Sequence, residues 1–396
     1  MQQTWRWFGP DDLVTLAHVR QAGATSVVSA LHHLNHGEAW PLDEVEKRRK
    51  HIEEGGLVWS VAESISVHDD IKTRTGQYRD RIELYKQSIR AIAACGIKTL
   101  CYNFMAITDW TRTDLAYPLP HGGTALRFDS IDFCTYDVFV LQRPNSEAAY
   151  SPSRILEARD RLKTVTPAHL ERLENNLIAW VPAREFIYDR TSFRQALAAY
   201  ANLGADGLRS NLIEFVKEIT PVAEESGVKL AIHPDDPPFP IFGLPRVMST
   251  TADVRALFNA VPSTNNGLTF CTGSFGVSAN NNLLQMINEF GARINFIHLR
   301  NTTREPDGSF TEADHLGGDT DMVAVIAALL REEKTRRATG RPDHEIAMRP
   351  DHGHAILDDI GKLVNPGYSA IGRLKGLAEL RGVICALTHL NSYSVY

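Results

Sequence analysis

Cysteine is scarce in this chain, and its arrangement argues against a disulfide framework. The five cysteines are scattered and odd in number, and no two of them form a CxxC pair. They are Cys95, Cys101, Cys134, Cys271 and Cys385. Scattered thiols of this kind indicate reduced side chains in a cytoplasmic protein. Most are expected to be small core residues, and one is a candidate metal ligand.

Basic charge and long apolar runs are also lacking. Lysine and arginine total 42 against 48 aspartates and glutamates, which gives a formal net charge of -6. A nucleic-acid-binding protein normally has a basic excess, so nucleic acid is not an expected partner. No apolar run approaches the roughly 20 residues that cross a bilayer. The N-terminal stretch "MQQTWRWFGP" lacks a signal-peptide pattern, so no membrane partner is expected either.

What the chain does contain is an alternation of short apolar runs and longer helical patterns. The runs lie at 24–33, 56–64, 96–104, 227–234, 267–274, 292–300 and 344–352, with a weaker eighth at 382–390. Each is almost continuously apolar, as a strand buried on both faces should be. Eight β-then-α units predict a single α/β domain over residues 1–396, folded as a (β/α)8 TIM barrel.

One interval is too long for a single crossover helix. The stretch from 105 to about 210 contains helical patterns and the ordered-looking loop "DWTRTDLAYPLPHGGTALRFD". Structureless loops of such length are uncommon in compact domains and are usually functional. We therefore predict a long insertion after strand three that covers the barrel mouth as a lid.

Polar residues end the predicted strands. They are His32-His33, Glu63, Asn103, His233, Cys271, His298 and Asp351-His352. All strands of such a barrel open onto one face, where the active site lies. His233, Cys271, His298 and Asp351 come from predicted strands four to seven, so they should converge. Two imidazoles, a thiolate and a carboxylate suit Mn, Fe(II), Co or Zn.

Each of these four residues also has an ordinary structural interpretation. His233 fits a capped loop, Cys271 a core thiol, and His298 a hydrogen-bonded core histidine. Asp351 fits the N-cap of a helix in "GHAILDDIGKLV". Taken singly, Cys271 and His298 favour the structural interpretation, but four such residues at matching strand ends favour a metal site.

Cations and a phenol lie close to these positions in the sequence. Arg300 follows His298 by two residues, and Arg349 precedes Asp351 by two, so an extended strand directs each pair the same way. "NPGYSAIGRLKGL" adds Tyr368, Arg373 and Lys375, of which Lys375 is interpreted as part of a solvated helix face. Arginines around a metal site in an acidic protein fit a small carboxylate substrate.

These residues resemble the mannonate dehydratase family. The resemblance covers about residues 3 to 383 and lies in "WRWFGP", "QAGATSVVSALHH", "CYNFM", "TDWTRTDL", "HPDDPP", "CTGSFG", "HLR", "MRPDHGH" and "NPGYSAIGRLKGLAE". It implies a xylose-isomerase-like TIM barrel that uses Mn(II) or Fe(II). The implied reaction removes water from D-mannonate to give 2-keto-3-deoxy-D-gluconate in hexuronate (glucuronate) breakdown.

The resemblance also implies roles for particular residues. The family's metal ligands match His233, Cys271, His298 and Asp351, and its proposed catalytic positions match His352 and Tyr368. Arg349, Arg300 and Asn103 are expected to face the substrate. The dehydration needs a base for the C2 proton and an acid for the departing C3 hydroxyl. The sequence leaves open which of His352 and Tyr368 is which, and a homo-oligomer is expected.

Three rival functions share some of these features. A metal-dependent sugar isomerase or epimerase would use the same barrel, but typically with a catalytic lysine and more carboxylates. An endonuclease of related fold should be basic, and a binding module would need no acid–base pair.

One local prediction also follows. The last strand should end at Arg349 or Pro350, and Gly353 should let the chain bend so that Asp351 and His352 both reach the mouth.

Overall fold

The computed structural model describes residues 1–179 and 188–393. Within these ranges the strands are β1 Gln2–Arg6, β2 Ser26–Ser29, β3 Val58–Glu63, β4 Thr99–Tyr102, β5 Asp114–Pro118, β6 Thr124–Phe128, β7 Lys229–Ile232, β8 Asn266–Cys271, β9 Ile294–Leu299, β10 Thr302–Arg304, β11 Phe310–Glu312 and β12 Ala347–Pro350. Eight of them close into a barrel in the order β1-β12-β9-β8-β7-β4-β3-β2, and all the pairs between these neighbours are parallel. The predicted (β/α)8 barrel is confirmed.

Helices surround the barrel and follow most of its strands. They are α1 Leu16–Gln21, α2 Leu42–Glu54, α3 Asp69–Thr73, α4 Tyr78–Ala94, α5 Ser130–Thr135, α6 Pro152–Thr164, α7 Pro167–Glu174, α8 Arg190–Ala198, α9 Gly204–Glu225, α10 Thr251–Ala260, α11 Thr272–Gly276, α12 Leu283–Phe290, α13 Met322–Ala338 and α14 Ala370–Tyr393. Short 3-10 helices occur at Ser146–Ala149, Gly291–Arg293 and Leu357–Asp359, and π-helical turns at Tyr136–Val140 and Asn175–Ala179.

The helices are amphipathic and capped by their own sequence. In α4, Ile82, Tyr85 and Ile89 are buried at a spacing of three and four residues, which places them on one face. Burial of one such side chain stabilises the fold by about 1.5–3 kcal/mol. At α10, the Thr250 and Asp253 side chains each accept a hydrogen bond from the other's backbone N–H. Local sequence thus sets where this helix begins.

Small and apolar side chains fill the barrel interior. The inner cluster consists of Val28, Val61, Cys101, Ala231, Phe296 and Ala347. These residues come from six different strands, and their neighbours along each strand pack outward in the larger cluster under the helices. The interior is therefore a packed core, in which Thr269 of β8 donates to Cys101 Sγ at 3.1 Å.

One predicted strand is wrong. The run at 382–390 lies inside α14, and the barrel is completed instead by β1, its first strand, which pairs with β12 and β2. A short apolar run cannot distinguish a strand from a buried helix segment by periodicity alone, and "QQTWR" is too polar to stand out. Because β1 precedes the first predicted strand, every predicted strand moves up by one in the barrel. The insertion leaves from the strand predicted at 96–104, as expected, but that strand is the fourth of the barrel. Predicted strands four to seven are likewise the fifth to eighth.

A second, four-stranded sheet with antiparallel pairing has the order β10-β11-β6-β5. Its strands come from the segment that follows β4 and from the segment that follows β9. Because both segments leave from the carboxyl ends of barrel strands, the small sheet joins two loops of the catalytic face.

The part of the insertion predicted as helical at 175–204 is helical in α8, whereas 180–187 lie outside the described residues.

The chain bends after β12 as predicted, although a different residue supports the bend. β12 ends at Pro350, and both Asp351 and His352 are buried beyond it. His352 itself has φ 46°, while Gly353 is not in the left-handed region. A Cβ on Gly353 would lie 2.5 Å from the backbone nitrogen of Arg373, so glycine is needed there for close packing.

No helix in the described ranges is long and apolar enough to cross a membrane.

Candidate active site

Three of the four residues predicted to bind metal bring their donor atoms together. One ligand atom each of His233, Cys271 and His298 lies within 4.8 Å of the other two. His233 Nε2 is 3.1 Å from His298 Nδ1. Strand register explains the arrangement, because Cys271 of β8 pairs directly with His298 of β9. Cys271 and His298 are fully buried, and His233 is half-buried.

Asp351, the fourth predicted ligand, adjoins the same group. Its Oδ2 is 3.9 Å from His298 Nδ1 and 4.0 Å from Cys271 Sγ. The set therefore combines two imidazoles, a thiol and a carboxylate in a buried pocket. Such mixed donors suit a divalent transition metal ion, so the residues fit the ion that the sequence analysis implied.

The protonation states of three of the four residues favour metal binding. His233 differs, because burial lowers its pKa but a hydrogen bond with Cys271 and the charge of that residue outweigh burial and raise it. Burial raises the pKa of the Cys271 thiol, but Arg300 and a hydrogen bond with His233 outweigh it, and the pKa is lowered. Burial acts in the same way on Asp351, yet Arg349 keeps the pKa of its carboxyl well below the ordinary value. Burial and Arg349 also lower the pKa of His298, which keeps its imidazole neutral. Deprotonated donors are what a metal ion requires.

Arg349 lies on the other side of His298. Its Nε donates to His298 Nε2 at 3.1 Å, and its Nη2 to Glu63 Oε1 at 3.0 Å. It also forms an ion pair with Asp351. Glu63, Cys101 and His298 form a second group of close donor atoms, two of which already contact this guanidinium. Arg349, predicted to face the substrate, is thus fully engaged by its neighbours.

A buried charge network surrounds Arg300 and includes residues that the sequence analysis did not assign. Arg300 Nη1 lies 2.6 Å from Asp236 Oδ2 and 3.5 Å from Asp351 Oδ2, and its Nε lies 3.4 Å from Glu312 Oε2. Arg112 contacts Asp236 with both terminal nitrogens, at 2.8 and 3.1 Å, and Glu312 at 2.8 Å. The network therefore joins the insertion, the loop after β7 and the small sheet.

These missed residues differ in the signal they carry. Asp236 and Arg112 lie inside the quoted stretches "HPDDPP" and "TDWTRTDL". Glu312 lies in a three-residue strand of the small sheet and has no sequence signal. Burial raises its pKa, but Arg300, His352 and Arg112 together lower it to about 2. Glu312 is consequently a carboxylate at neutral pH.

His352 and Tyr368, the predicted catalytic pair, are neighbours. Their rings are 5.2 Å apart in an edge-on arrangement. His352 Nδ1 donates to Glu312 Oε1 at 3.2 Å, and its Nε2 lies 3.9 Å from Asp351 Oδ1. Trp110 contacts the His352 ring from the insertion, and Phe8 contacts Tyr368 from the loop after β1. Both catalytic candidates thus lie beside the donor group.

The remaining predicted residues lie nearby with different surroundings. Asn103 is half-buried directly after β4. His354 donates from Nε2 to the Glu312 carbonyl at 2.9 Å, which fixes the strand that carries Glu312. Arg373 is buried and donates to the backbone carbonyls of Arg6, Tyr368 and Ser369. Lys375 is partly exposed and lies 2.5 Å from Asp314, which agrees with a solvated helix face.

Comparison with known proteins gives a consistent picture. The chain matches the family described as D-mannonate dehydratase (UxuA) over residues 1–394. It is 54% identical over 388 residues to the mannonate dehydratase of Saccharophagus degradans, covering 98% of each chain. It is 52% identical over 391 residues to the mannonate dehydratase of Chromohalobacter salexigens, covering 98% of this chain and 100% of that one. The crystal structure of mannonate dehydratase from Streptococcus suis serotype 2 is similar with a TM-score of 0.76 and 34% identity, over 99% of this chain and 95% of that one.

Proposed function

This chain belongs to the D-mannonate dehydratase family and is a hydro-lyase, and from that premise we propose how its residues divide the reaction. The reaction is the dehydration of D-mannonate to 2-keto-3-deoxy-D-gluconate, a step of hexuronate breakdown. The observation that carries the assignment is the convergence of three donor residues, adjoined by Asp351, with His352 and Tyr368 at one barrel mouth. The isomerase or epimerase alternative is not favoured, because the family match covers the whole barrel.

We propose that His233, Cys271, His298 and Asp351 hold a divalent ion, Mn(II) or Fe(II). Such an ion, when bound, supplies Lewis-acid stabilisation of the negative charge that develops on a sugar acid. The chain's own contribution is the placement of a thiol whose pKa is lowered, a carboxylate and two imidazoles, of which that of His298 is held neutral. Arg349 orients two of these residues, since it contacts both His298 and Asp351.

His352 is the proposed general base. Glu312 is ionised, so the Nδ1 proton of His352 points to its carboxylate and Nε2 is left as the acceptor. Nε2 is the ring nitrogen on the side of Asp351. A base there can take the C2 proton of a substrate that lies against the donor group. Glu312 acts as a positioning residue, in the way that a carboxylate orients a catalytic histidine.

Tyr368 is the proposed general acid. Burial raises the pKa of its phenol, and the opposing effect of Arg349 does not cancel this. The phenol is therefore protonated at neutral pH and suited to donate a proton to the departing C3 hydroxyl. The edge of Phe8 and the ring of His352 hold the tyrosine in place. The sequence leaves the two roles open, and we propose His352 as the base and Tyr368 as the acid.

Arg300, Arg349 and Asn103 stay proposed as residues on the substrate side of the mouth. Both arginines already pair with carboxylates, so a substrate carboxylate would have to share them with Asp351. Their first effect is then to hold Asp351 ionised and in position. Asn103 supplies an amide at the end of β4, where it can donate to or accept from a hydroxyl.

We also propose a cytoplasmic location and a homo-oligomeric state. The location is supported by five cysteines that form no disulfide. The residue pattern of the insertion supports its proposed role as a lid, because Trp110 and Arg112 reach His352 and the charge network from there.

The direct test is an assay with two substrates, D-mannonate and a free aldose. The protein, loaded with Mn(II) or with Fe(II), is incubated with D-mannonate, and the 2-keto acid is measured. We expect a 2-keto-3-deoxy sugar acid to accumulate, and the chelated protein to be inactive. Conversion of a free aldose to a ketose, with no keto acid formed from D-mannonate, would instead identify a sugar isomerase.

A further inference from the structure

Arg246 is a buried arginine of the catalytic face that the proposed mechanism does not use. It lies in the loop that follows β7, the same loop that carries His233 and Asp236. The residue is 7% exposed. Its Nη1 donates to the backbone carbonyl of Thr108 at 3.3 Å, in the segment that follows β4. Because β4 and β7 are neighbours in the barrel, Arg246 stands in the wall between two loops of the mouth.

The hydrogen-bonding capacity of Arg246 is largely unused. Its Nε and Nη2 have no hydrogen-bond partner among the described residues, and no carboxylate oxygen there lies within 4.0 Å of the guanidinium. The other buried arginines of the mouth differ from it. Arg112, Arg300 and Arg349 each pair with two or three carboxylates, and Arg373 donates to three carbonyls.

A buried guanidinium without partners is costly, and such groups persist chiefly where a ligand or water completes them. Two hydroxyls of the neighbouring segment are in the same state, since Thr108 Oγ1 and Thr111 Oγ1 are buried and have no hydrogen-bond partner within 1–179 and 188–393. Both loops also contain a strained residue, Ile107 at φ 57° and Phe242 at φ 50°. Strain of this kind is concentrated at binding sites.

The charges around Arg246 indicate which ligand it accepts. Asp235, Asp236 and Asp109 are the acidic groups whose charges act on it. A ligand carboxylate placed against Arg246 would be repelled by these three aspartates, whereas a ligand hydroxyl would not. An arginine flanked by hydroxyls and acidic groups is suited to a polyhydroxy chain, because the arginine donates and the carboxylates accept.

We infer that Arg246, with Thr108 and Thr111, forms a subsite for the terminal C6 hydroxyl of the sugar acid. This inference rests on the proposed function. It names a specificity determinant: the end of the substrate opposite its carboxylate is recognised by an arginine that has no carboxylate partner among the residues the structure describes. Acids that lack the hydroxyl leave the guanidinium unpartnered and are disfavoured.

The test compares D-mannonate with 6-deoxy-D-mannonate, which differs only in the C6 hydroxyl. For the metal-loaded wild type we expect kcat/KM to be about 10- to 100-fold higher with D-mannonate, the worth of a hydrogen bond from a charged donor. Arg246→Met should lower kcat/KM for D-mannonate by that factor and leave 6-deoxy-D-mannonate within about twofold of wild type, as the lost hydrogen bond predicts. Arg246→Lys, which keeps one donor, should fall between them.

Binding gives a second readout that does not need turnover. In the His352→Asn background, the dissociation constants of both acids should show the same selectivity and lose it with Arg246→Met. Arg293→Met is the matched control, since Arg293 is a half-buried arginine at the opposite end of β9 that donates to Asn266, Phe258 and Val261 carbonyls. It should leave the selectivity intact.

Three results would overturn the inference. An equal loss for both acids would make Arg246 a carboxylate-binding or structural residue. If Arg246→Met changed kcat/KM for neither acid, water and not the substrate would accept the hydrogen bonds of the Arg246 guanidinium. A wild type without selectivity would leave no C6 subsite to explain. If neither acid were dehydrated by the wild type, the proposed function would fail instead, and the dissociation constants would still decide the subsite. Arg246→Met should fold, because a buried unpaired charge is replaced by an apolar side chain.

Discussion

At the scale of single residues, the conformation of His352 shows how the site is organised. Its φ of 46° lies in the left-handed region, which is uncommon for a residue other than glycine. The hydrogen bond from Gly353 N–H to the Gly367 carbonyl, at 2.8 Å, and the contact with Glu312 hold it there. The strain directs the imidazole to the mouth beside Asp351, where an unstrained continuation of β12 would point it away.

Variants at Cys271 and His352 should separate metal binding from proton transfer. Cys271→Ala removes a thiolate from the proposed metal site, so we expect loss of the ion and of turnover. His352→Asn leaves the four ligands intact, so the ion should stay bound while turnover falls by roughly two to four orders of magnitude, the usual range for a general base.

Elemental analysis of the purified variants, together with kcat at saturating D-mannonate, measures both effects. Cys385→Ala is the control for thiol loss, because Cys385 is exposed on α14, away from the barrel mouth. A Cys271→Ala protein with a full complement of metal would remove that residue from the site. A His352→Asn protein with near wild-type turnover would transfer the role of base to another group.

At the scale of elements, the strand ends and the small sheet have separate tasks. Adjacent strands β7, β8, β9 and β12 end side by side and present the donor residues. β11 pairs with β6 from the insertion and with β10, and it delivers Glu312 to His352. The proposed base is therefore oriented by a sheet that does not belong to the barrel.

The insertion should respond to substrate if it is a lid. It contains α6, where Lys163 is exposed, and its Trp110 contacts His352. D-Mannonate that fills the mouth should stabilise this arrangement, so trypsin should cleave within 105 to about 210 more slowly when the acid is present. The comparison uses metal-loaded His352→Asn protein, which does not consume the acid, with D-mannitol as the uncharged control. Equal cleavage rates with and without D-mannonate would argue against closure of a lid.

At the scale of the whole molecule, buried charges join the small sheet to the barrel. Arg112 and Arg300 both contact Asp236 of the loop after β7 and Glu312 of β11. Burial raises the pKa of Asp236, but Arg112 and Arg300 outweigh it and hold the pKa well below the ordinary value. The two carboxylates are thus ionised in the folded protein, and their protonation would remove both ion pairs of Arg112 and leave Arg300 with Asp351 alone.

Acid should weaken this connection in a defined pH range. The pKa of Glu312 is about 2 in the folded protein against an ordinary value of 4.5. Its contribution to stability is therefore complete above pH 4.5 and is lost as pH falls toward 2. The free energy of unfolding of the wild type should fall over this range by up to about 3 kcal/mol through this group alone.

Glu312→Gln cannot be protonated and should lose this part of the pH dependence. At neutral pH it should be less stable than the wild type, and the two should converge as the pH falls. Urea unfolding from pH 5.5 downward measures the difference. A constant gap between the two proteins over the range would show that Glu312 does not titrate as its surroundings imply.

Sequence alone determined the parts of this protein that depend on short segments. Seven barrel strands follow from apolar runs, because strands covered on both faces need apolar side chains throughout. The residues at their carboxyl ends, including His233, Cys271, His298 and Asp351, follow from the parallel arrangement that brings those ends to one face. The strand end at Pro350 follows from the polar residues after it.

Only the tertiary structure decided which residues surround the four predicted metal ligands. Whether 382–390 or "QQTWR" closes the barrel depends on which segment can pair with both β12 and β2, which no local pattern records. Glu312 contacts His352, which is 40 residues away in the sequence, and it also contacts Arg112, which is 200 residues away. Arg246 is distinguished by its Nε and Nη2, which have no hydrogen-bond partner in the described part of the chain, and this is visible only from the surrounding tertiary structure. Local sequence sets the backbone conformation of short segments, whereas pairing and burial between distant segments set which charges meet.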